Sequence, residues 1–248
     1  MRRRLLLFTA LALAGGILAA GLSQAPALLR HVAVFRVRRV EVEGVRFMEP
    51  REVMDAAAIG ADANIFDDPA PWKARLLRLP LIASVEVHRR LPGTVVLVVT
   101  ETQPVALVRG HTLEPVDARG RVLPIDPARR PLDLPVIDLA ADTTADGRLR
   151  DPAAPALLGT LERIRRFEPT FARQISEAGL DHDGSIRLWL RHPEGAVALV
   201  PRDMDALKLR ELVSTLSDVD ARQELSRLRR IDGRFRDQVV VSLNPQAS

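Results

Sequence analysis

Apolar and polar positions change their rhythm along this chain, and each rhythm predicts a different element. From Leu5 to Leu22 every position is apolar or small except Thr9. As a helix that run rises about 27 Å, enough to cross a bilayer core. At residues 35–43 the period shortens to two: Val40 and Val42 alternate with Glu41 and Glu43 as in a half-buried strand, and Gly44 ends it. A helical period follows. Pro50 opens a helix with Val53, Met54 and Ala57 on one face and Gly60 as its stop. Trp72, Leu76 and Leu79 mark a second helix, with Asp67-Asp68 as its cap, Pro69 and Pro71 in its first turn, and Pro80 beyond its end. Residues 82–88 and 94–101 read as strands joined by Leu91-Pro92-Gly93, with Gly93 predicted at positive φ.

After Gln103-Pro104 the texture turns to short strands and turns. Residues 105–109, 113–116 and 122–125 are predicted strands, and the Pro/Asp-rich stretch 126–152 holds one short apolar run at 134–139. Leu157, Leu161, Ile164 and Phe167 share the inner face of a helix over 153–168. Residues 175–180 and 185–191 form a hairpin around His182-Asp183-Gly184, and a strand at 196–200 follows. Asp203 is expected to cap a helix carrying Leu209, Leu212 and Leu216. Residues 229–235 and a final strand at 238–243 close the chain. The expected organisation is a four-residue tail, a span at 5–22, a linker at 23–34, one unit at 35–103, a second at 104–244 and a short tail at 245–248.

Charge changes this picture little. The isoelectric point of about 10.6 suggests a polyanion partner, but the formal net charge is only +4. Arg2, Arg3 and Arg4 account for most of that, and arginine outnumbers lysine so heavily that the titration curve stays high. No other basic block stands out, which argues against nucleic acid. The three arginines do matter for orientation. They precede the apolar run and the next base is Arg30, so the positive-inside rule leaves the short tail in the cytoplasm and the bulk outside. A cleaved signal peptide is the rival, but its apolar core is usually shorter, and Pro26 follows the best cleavage site at Ser23-Gln24-Ala25.

Candidate chemistry is sparse. There is no cysteine, so disulfides, thiolate metal sites and a Cys nucleophile are excluded. The five histidines are scattered without metal-ligand spacing, and no P-loop, dinucleotide-binding or nucleophile-elbow motif occurs. Asp181-His182-Asp183-Gly184 superficially resembles a calcium loop, but no acid stands at its twelfth position, and a hairpin turn explains it better. Trp72 and Trp189 fall at apolar periodic positions and are expected in the core. No catalytic, cofactor-binding or metal residue is assigned, and no small-molecule substrate.

The strand-helix-helix-strand-strand order, with Val85, Val87, Arg89, Leu91, Pro92, Thr94, Val95, Leu97, Val99, Glu101, Pro104 and Ala106 at their spacings, resembles a POTRA domain. With the 116–124 segment VDARGRVLP and a terminal Ile231-Asp232-Gly233-Arg234-Phe235, nearly the whole chain is similar to the FtsQ/DivIB cell-division family. Gly233 stands where that family's closing pattern carries Leu. The resemblance implies an α+β protein: a single N-terminal transmembrane helix, a POTRA domain, then a mixed β-rich domain with flanking helices and a free C-terminal edge strand. It implies a non-enzymatic inner-membrane scaffold at the division septum that recruits FtsB/FtsL-type partners and is linked to septal peptidoglycan synthesis. The implied partner-binding residues are Phe235, Asp237, Gln238, Val239, Val240, Val241 and Ser242, with Phe235 open to a second reading as a core residue. A transport or secretion component would carry several POTRA repeats or a barrel, and an anchored wall hydrolase would need a catalytic constellation.

The N-terminal run is expected to be retained. Intact-mass measurement on membrane-fraction protein should include it; a mass corresponding to a start near Ala25 or Pro26 would contradict this.

Overall fold

The computed structural model describes residues 32–245. The apolar run at 5–22, its preceding tail, most of the 23–34 linker and residues 246–248 lie outside the described residues. No helix among the described residues is long and apolar enough to cross a membrane. The chain divides into two compact units between Glu101 and Thr102, just ahead of the boundary expected at Pro104.

The first unit follows the expected order: β1 (Arg39–Glu43), α1 (Pro50–Ala57), α2 (Ala70–Leu76), β2 (Ile82–Arg90) and β3 (Thr94–Glu101). β3 is the middle strand, parallel to β1 and antiparallel to β2. Its central place explains its unbroken apolar run, since Val95, Val96, Leu97 and Val99 are all buried. Val53 and Ala57 of α1 and Trp72 and Leu76 of α2 complete this core. The buried Glu101 carboxylate ends β3 by accepting backbone N–H groups from Arg46 (2.9 Å), Phe47 (2.8 Å) and Met48 (2.9 Å). It thereby fastens the loop leading into α1.

Four local expectations are corrected here. Phe35 ends a 3-10 turn (Ala33–Phe35) because its carbonyl accepts Ile65 N–H and its ring meets Phe66 edge-on. α1 stops at Ala58 (φ 47°), ahead of Gly60, where the Arg75 guanidinium donates to the Ala57 and Ala58 carbonyls. α2 ends at Leu76, leaving Leu79 outside, and its N-terminal Ala70 N–H is held by Asp68 alone, while Asp67 accepts from Asn64. Gly93 is not at positive φ; a Cβ there would lie 2.5 Å from the Arg36 carbonyl oxygen, so glycine permits close approach of two backbones.

The second unit comprises β4 (Pro104–Arg109), β5 (Leu113–Asp117), β6 (Val136–Ile137), α3 (Ala154–Phe167), α4 (Pro169–Ala172), β7 (Ile175–Leu180), β8 (Ile186–Leu190), β9 (Val197–Val200), α5 (Ala206–Ala221), β10 (Leu228–Asp232) and β11 (Val240–Leu243). The strands form one mixed sheet in the order β11-β10-β9-β8-β7-β6-β4-β5. Leu157, Leu158, Leu161 and Ile164 of α3 and Leu209, Leu212 and Leu216 of α5 pack on one face with Ile186, Leu188, Ala198, Val200 and Ile231. The alternation of period two leaves Arg187, Trp189, Val197, Leu199 and Arg230 on the other face.

Corrections here have the same flavour. Residues 122–125 form no strand; of them only Val122 bridges Val116. Phe167 is exposed because α3 ends beneath it. Trp189 is only half-buried, on the open face, with the Arg187 guanidinium 5.7 Å from its ring centroid. The cap of α5 is Asp205, accepting Lys208 N–H at 2.7 Å, rather than Asp203. β10 stops at Asp232, before Arg234 and Phe235, and β11 begins at Val240 rather than Gln238.

Glu101→Ala is expected to destabilise the protein by about 3 kcal/mol, since three backbone N–H donors, that of the buried Met48 among them, lose a charged acceptor. Urea unfolding of the full chain reads this; a loss below about 1 kcal/mol would mean that the loop is held otherwise.

Candidate functional site

β11 is the last strand of its sheet and pairs with one neighbour, β10, among the described residues. Which of its backbone groups remain open follows from the ladders. Gly233 N–H donates to Leu199 O at 2.8 Å, so Gly233 and, two residues back, Ile231 face β9. Arg230 and Asp232 therefore face β11, where they pair with Ser242 and Val240. Asn244 N–H, donating to Arg227 O at 2.8 Å, keeps the same phase beyond the bulge near Arg229. The N–H and C=O groups of Val241 and Leu243 consequently point away from the sheet. The side chains alternate independently: Val239, Val241 and Leu243 pack against the core, and Ser242 borders the open face.

The segment joining β10 to β11 is pinned from both sides. The Asp232 carboxylate, 3 % exposed, receives Arg234 Nη2 at 2.6 Å and Nε at 2.9 Å. Arg234 Nη1 also donates to Asp183 at the tip of the β7–β8 hairpin. Burial pushes the Asp232 carboxyl up, but hydrogen bonds from the Arg234 side chain and backbone and its positive charge push it down further, to a net value below the ordinary one. The Asp183 carboxyl is also lowered, first by the Ser185 hydroxyl and N–H and then by Arg234. The Arg234 guanidinium is pushed up by its bond to Asp232, against the effect of burial. On the helical side, Lys208 Nζ donates to the carbonyls of Arg236 (3.4 Å) and Gln238 (3.0 Å) and pairs with Glu211 (2.9 Å).

Two hollows flank the edge. On the open face a cavity of about 340 Å³ is bordered by Asp181, Arg187, Leu199, Arg230, Arg234 and Ser242. On the helical side a groove of about 500 Å³ runs between α5 and residues 237–239, bordered by Leu207, Arg210, Thr215, Asp237 and Gln238.

The residues singled out in the sequence thus fall on one contiguous segment. Phe235 is 45 % exposed. Asp237 and Gln238 are exposed in the pinned loop, and Val239, Val240, Val241 and Ser242 are half-buried. Sequence reasoning missed Asp183 and Lys208 as anchors of that loop, because Asp183 is 51 positions from Arg234 and Lys208 is 30 from Gln238. Gly233 also acquires a reason: a Cβ there would lie 3.0 Å from Leu212 Cδ1, so α5 fills the space that a leucine at this position would require.

A three-stranded α+β unit followed in the chain by a mixed sheet with an open terminal edge among the described residues is the architecture of a POTRA-bearing protein. The family description "POTRA domain, FtsQ-type" matches residues 35–102, and "Cell division protein FtsQ/DivIB, C-terminal" matches residues 106–234. The chain is 34% identical over 245 residues to the cell division protein FtsQ of Anaeromyxobacter sp. (strain K), covering 95% of this chain and 82% of that one. It is 32% identical over 216 residues to the FtsQ of Rhodothermus marinus, covering 83% and 77%. With the FtsQ of Geotalea daltonii it shares 26% over 220 residues, covering 86% and 78%. The chain belongs to the FtsQ/DivIB family of cell-division proteins, a non-enzymatic scaffold family.

The Asp232–Arg234 pair is expected to make the second unit acid-sensitive. A carboxyl lowered in the folded state contributes stability that is fully present above its unfolded value of about 3.9 and is lost as the pH falls through the folded value. Asp232→Asn is expected to lower stability near pH 7 by about 2 kcal/mol and to flatten the acid limb of the stability curve below about pH 4. Unchanged urea midpoints at pH 7 would contradict this.

Proposed function

We propose that the chain is a bitopic inner-membrane scaffold of the division machinery, anchored by residues 5–22 with its bulk in the periplasm. In this reading it takes up an extended segment of an FtsB/FtsL-type partner along β11 and links that partner to septal peptidoglycan synthesis. The observation that carries it is the outward backbone groups of Val241 and Leu243 on the strand that follows the loop bearing the exposed Phe235. An added strand satisfies those groups, and its alternate side chains meet the open-face cavity and the α5 groove. Family membership supports a division role. The pinned loop supports the site: a loop held by Lys208 and Arg234 is already ordered when a partner arrives, which reduces the entropy lost on binding.

Substitutions separate fold from docking. Phe235→Ala should leave the thermal midpoint nearly unchanged, since exposed positions shift stability by about 0.5 kcal/mol or less. It should weaken partner binding at least about tenfold, the loss of about 1.4 kcal/mol. Val241→Pro removes an outward donor and should abolish binding while the ladder to β10 stays intact, whereas Val240→Pro removes a ladder bond to β10 and should destabilise the sheet more. Calorimetric binding of the full chain to an FtsB-type periplasmic segment reads both. Binding that survives Phe235→Ala and Val241→Pro would move the docking site elsewhere.

A further inference from the structure

The parallel pairing of Arg39 with Thr94 and the antiparallel pairing of Arg90 with Thr94 bring the start of β1, the end of β2 and the start of β3 to one pole of the first sheet. The leading segment runs along that pole. Arg38 and Arg39 N–H groups donate to Gly93 O, and Gly93 lies against the Arg36 carbonyl. Eight large apolar side chains are exposed among the described residues, and three of them, Val32 (41 %), Val34 (46 %) and Leu91 (66 %), sit on this segment and the adjacent hairpin tip. Arg36 and Arg38 are exposed beside them and make no ion pair among the described residues. The carboxylates nearby are largely committed: Glu41 pairs with Arg90, Asp67 accepts Asn64 N–H, and Asp62 is the exposed one on the adjoining loop.

Exposed aliphatic tips flanked by unpaired arginines match a lipid headgroup layer, where the apolar side chains enter the acyl boundary and the cations meet lipid phosphates. The occupant is set by where the chain goes. Only the nine positions from Ser23 to His31 separate this pole from the end of the apolar run at Leu22, ten residue steps in all. Fully extended they span at most about 35 Å, so an anchored unit stays within that distance of the bilayer and a weak patch suffices to hold it. We propose that residues 32–38 and 91–93 form a membrane-docking pole that seats the first unit on an anionic lipid surface. This inference rests on the reading of residues 5–22 as an anchor.

The absence of native cysteine makes a single introduced thiol unique. Full-length protein carrying Leu91→Cys or, as control at an exposed site near the other end of β2, Leu77→Cys is labelled with a nitrobenzoxadiazole fluorophore. It is then reconstituted in vesicles of phosphatidylcholine with or without phosphatidylglycerol. The label at position 91 should brighten and be quenched by headgroup-nitroxide lipid in the anionic vesicles, and the label at 77 should not. Adding Arg36→Ala and Arg38→Ala should lower the docked-to-free ratio by about twenty-fivefold, roughly fivefold for each arginine. Equal responses at 91 and 77, or a response at 91 that survives loss of both arginines, would overturn the proposal. Flotation of the same samples keeps the two readings apart. Protein that fails to float with vesicles counts against the anchor, and protein that floats with a silent label at 91 counts against the docking pole alone.

Discussion

A β-strand sends its backbone N–H and C=O groups alternately to its two sides, and both sheets of this protein are organised by how that demand is met. In the first unit β3 satisfies it on both sides, which is why the most apolar strand is the middle one. In the second, every strand from β10 to β4 is flanked on both sides, and the unmet half is left to the two ends. At the β5 end the chain folds back on itself: Asp117 N–H donates to Arg121 O and Leu123 N–H to Pro115 O. At the β11 end no described segment does this, and an uncovered edge is a feature that proteins ordinarily guard against.

What keeps that edge from being loose is charge placed under it. Asp232 is buried and so depends on Arg234; Arg234 in turn is fixed by Asp183 from another hairpin. A buried ion pair of this kind is a weak source of net stability but a strong constraint on geometry, because either partner alone is costly. Lys208, reaching from α5 to two carbonyls of the same loop, adds a third tie. The loop bearing Phe235 is therefore ordered while its side chain stays exposed, and the burial that a core reading of Phe235 requires is absent.

The two units secure their irregular segments in parallel ways. In the first, one carboxylate (Glu101) collects three backbone donors and one guanidinium (Arg75) collects two carbonyls, so irregular chain is secured by single side chains from regular elements. In the second, Asp117 accepts the Arg119 and Arg121 N–H groups and Asp205 caps α5. With no disulfide available, these local ties do the stapling.

Local patterns determined much of this protein. The alternation in 39–43, the period of Trp72 and Leu76, the β-branched run of β3 and the Leu157-Leu161-Ile164 stripe each specify an element, because burial of one face depends on spacing along a few neighbouring residues. The segment 235–242 could be singled out as a candidate too, but only through its place beside the closing motif of the family it resembles. What the pattern could not fix were quantities set by distant chain. Gly93 lies against Arg36, Ala58 is held left-handed by Arg75, and Phe167 is exposed at the last position of α3 under the Arg166 guanidinium. The strand order that leaves β11 at an edge, and the phase that turns Val241 rather than Val240 outward, come from pairing between segments far apart in sequence. Asp183 becomes an anchor of the Phe235 loop only once the β7–β8 hairpin stands beside β10. Periodicity is a property of neighbours along the chain, whereas an edge and its pinning belong to the assembled sheet, so the first could be read from the sequence and the second only from the fold.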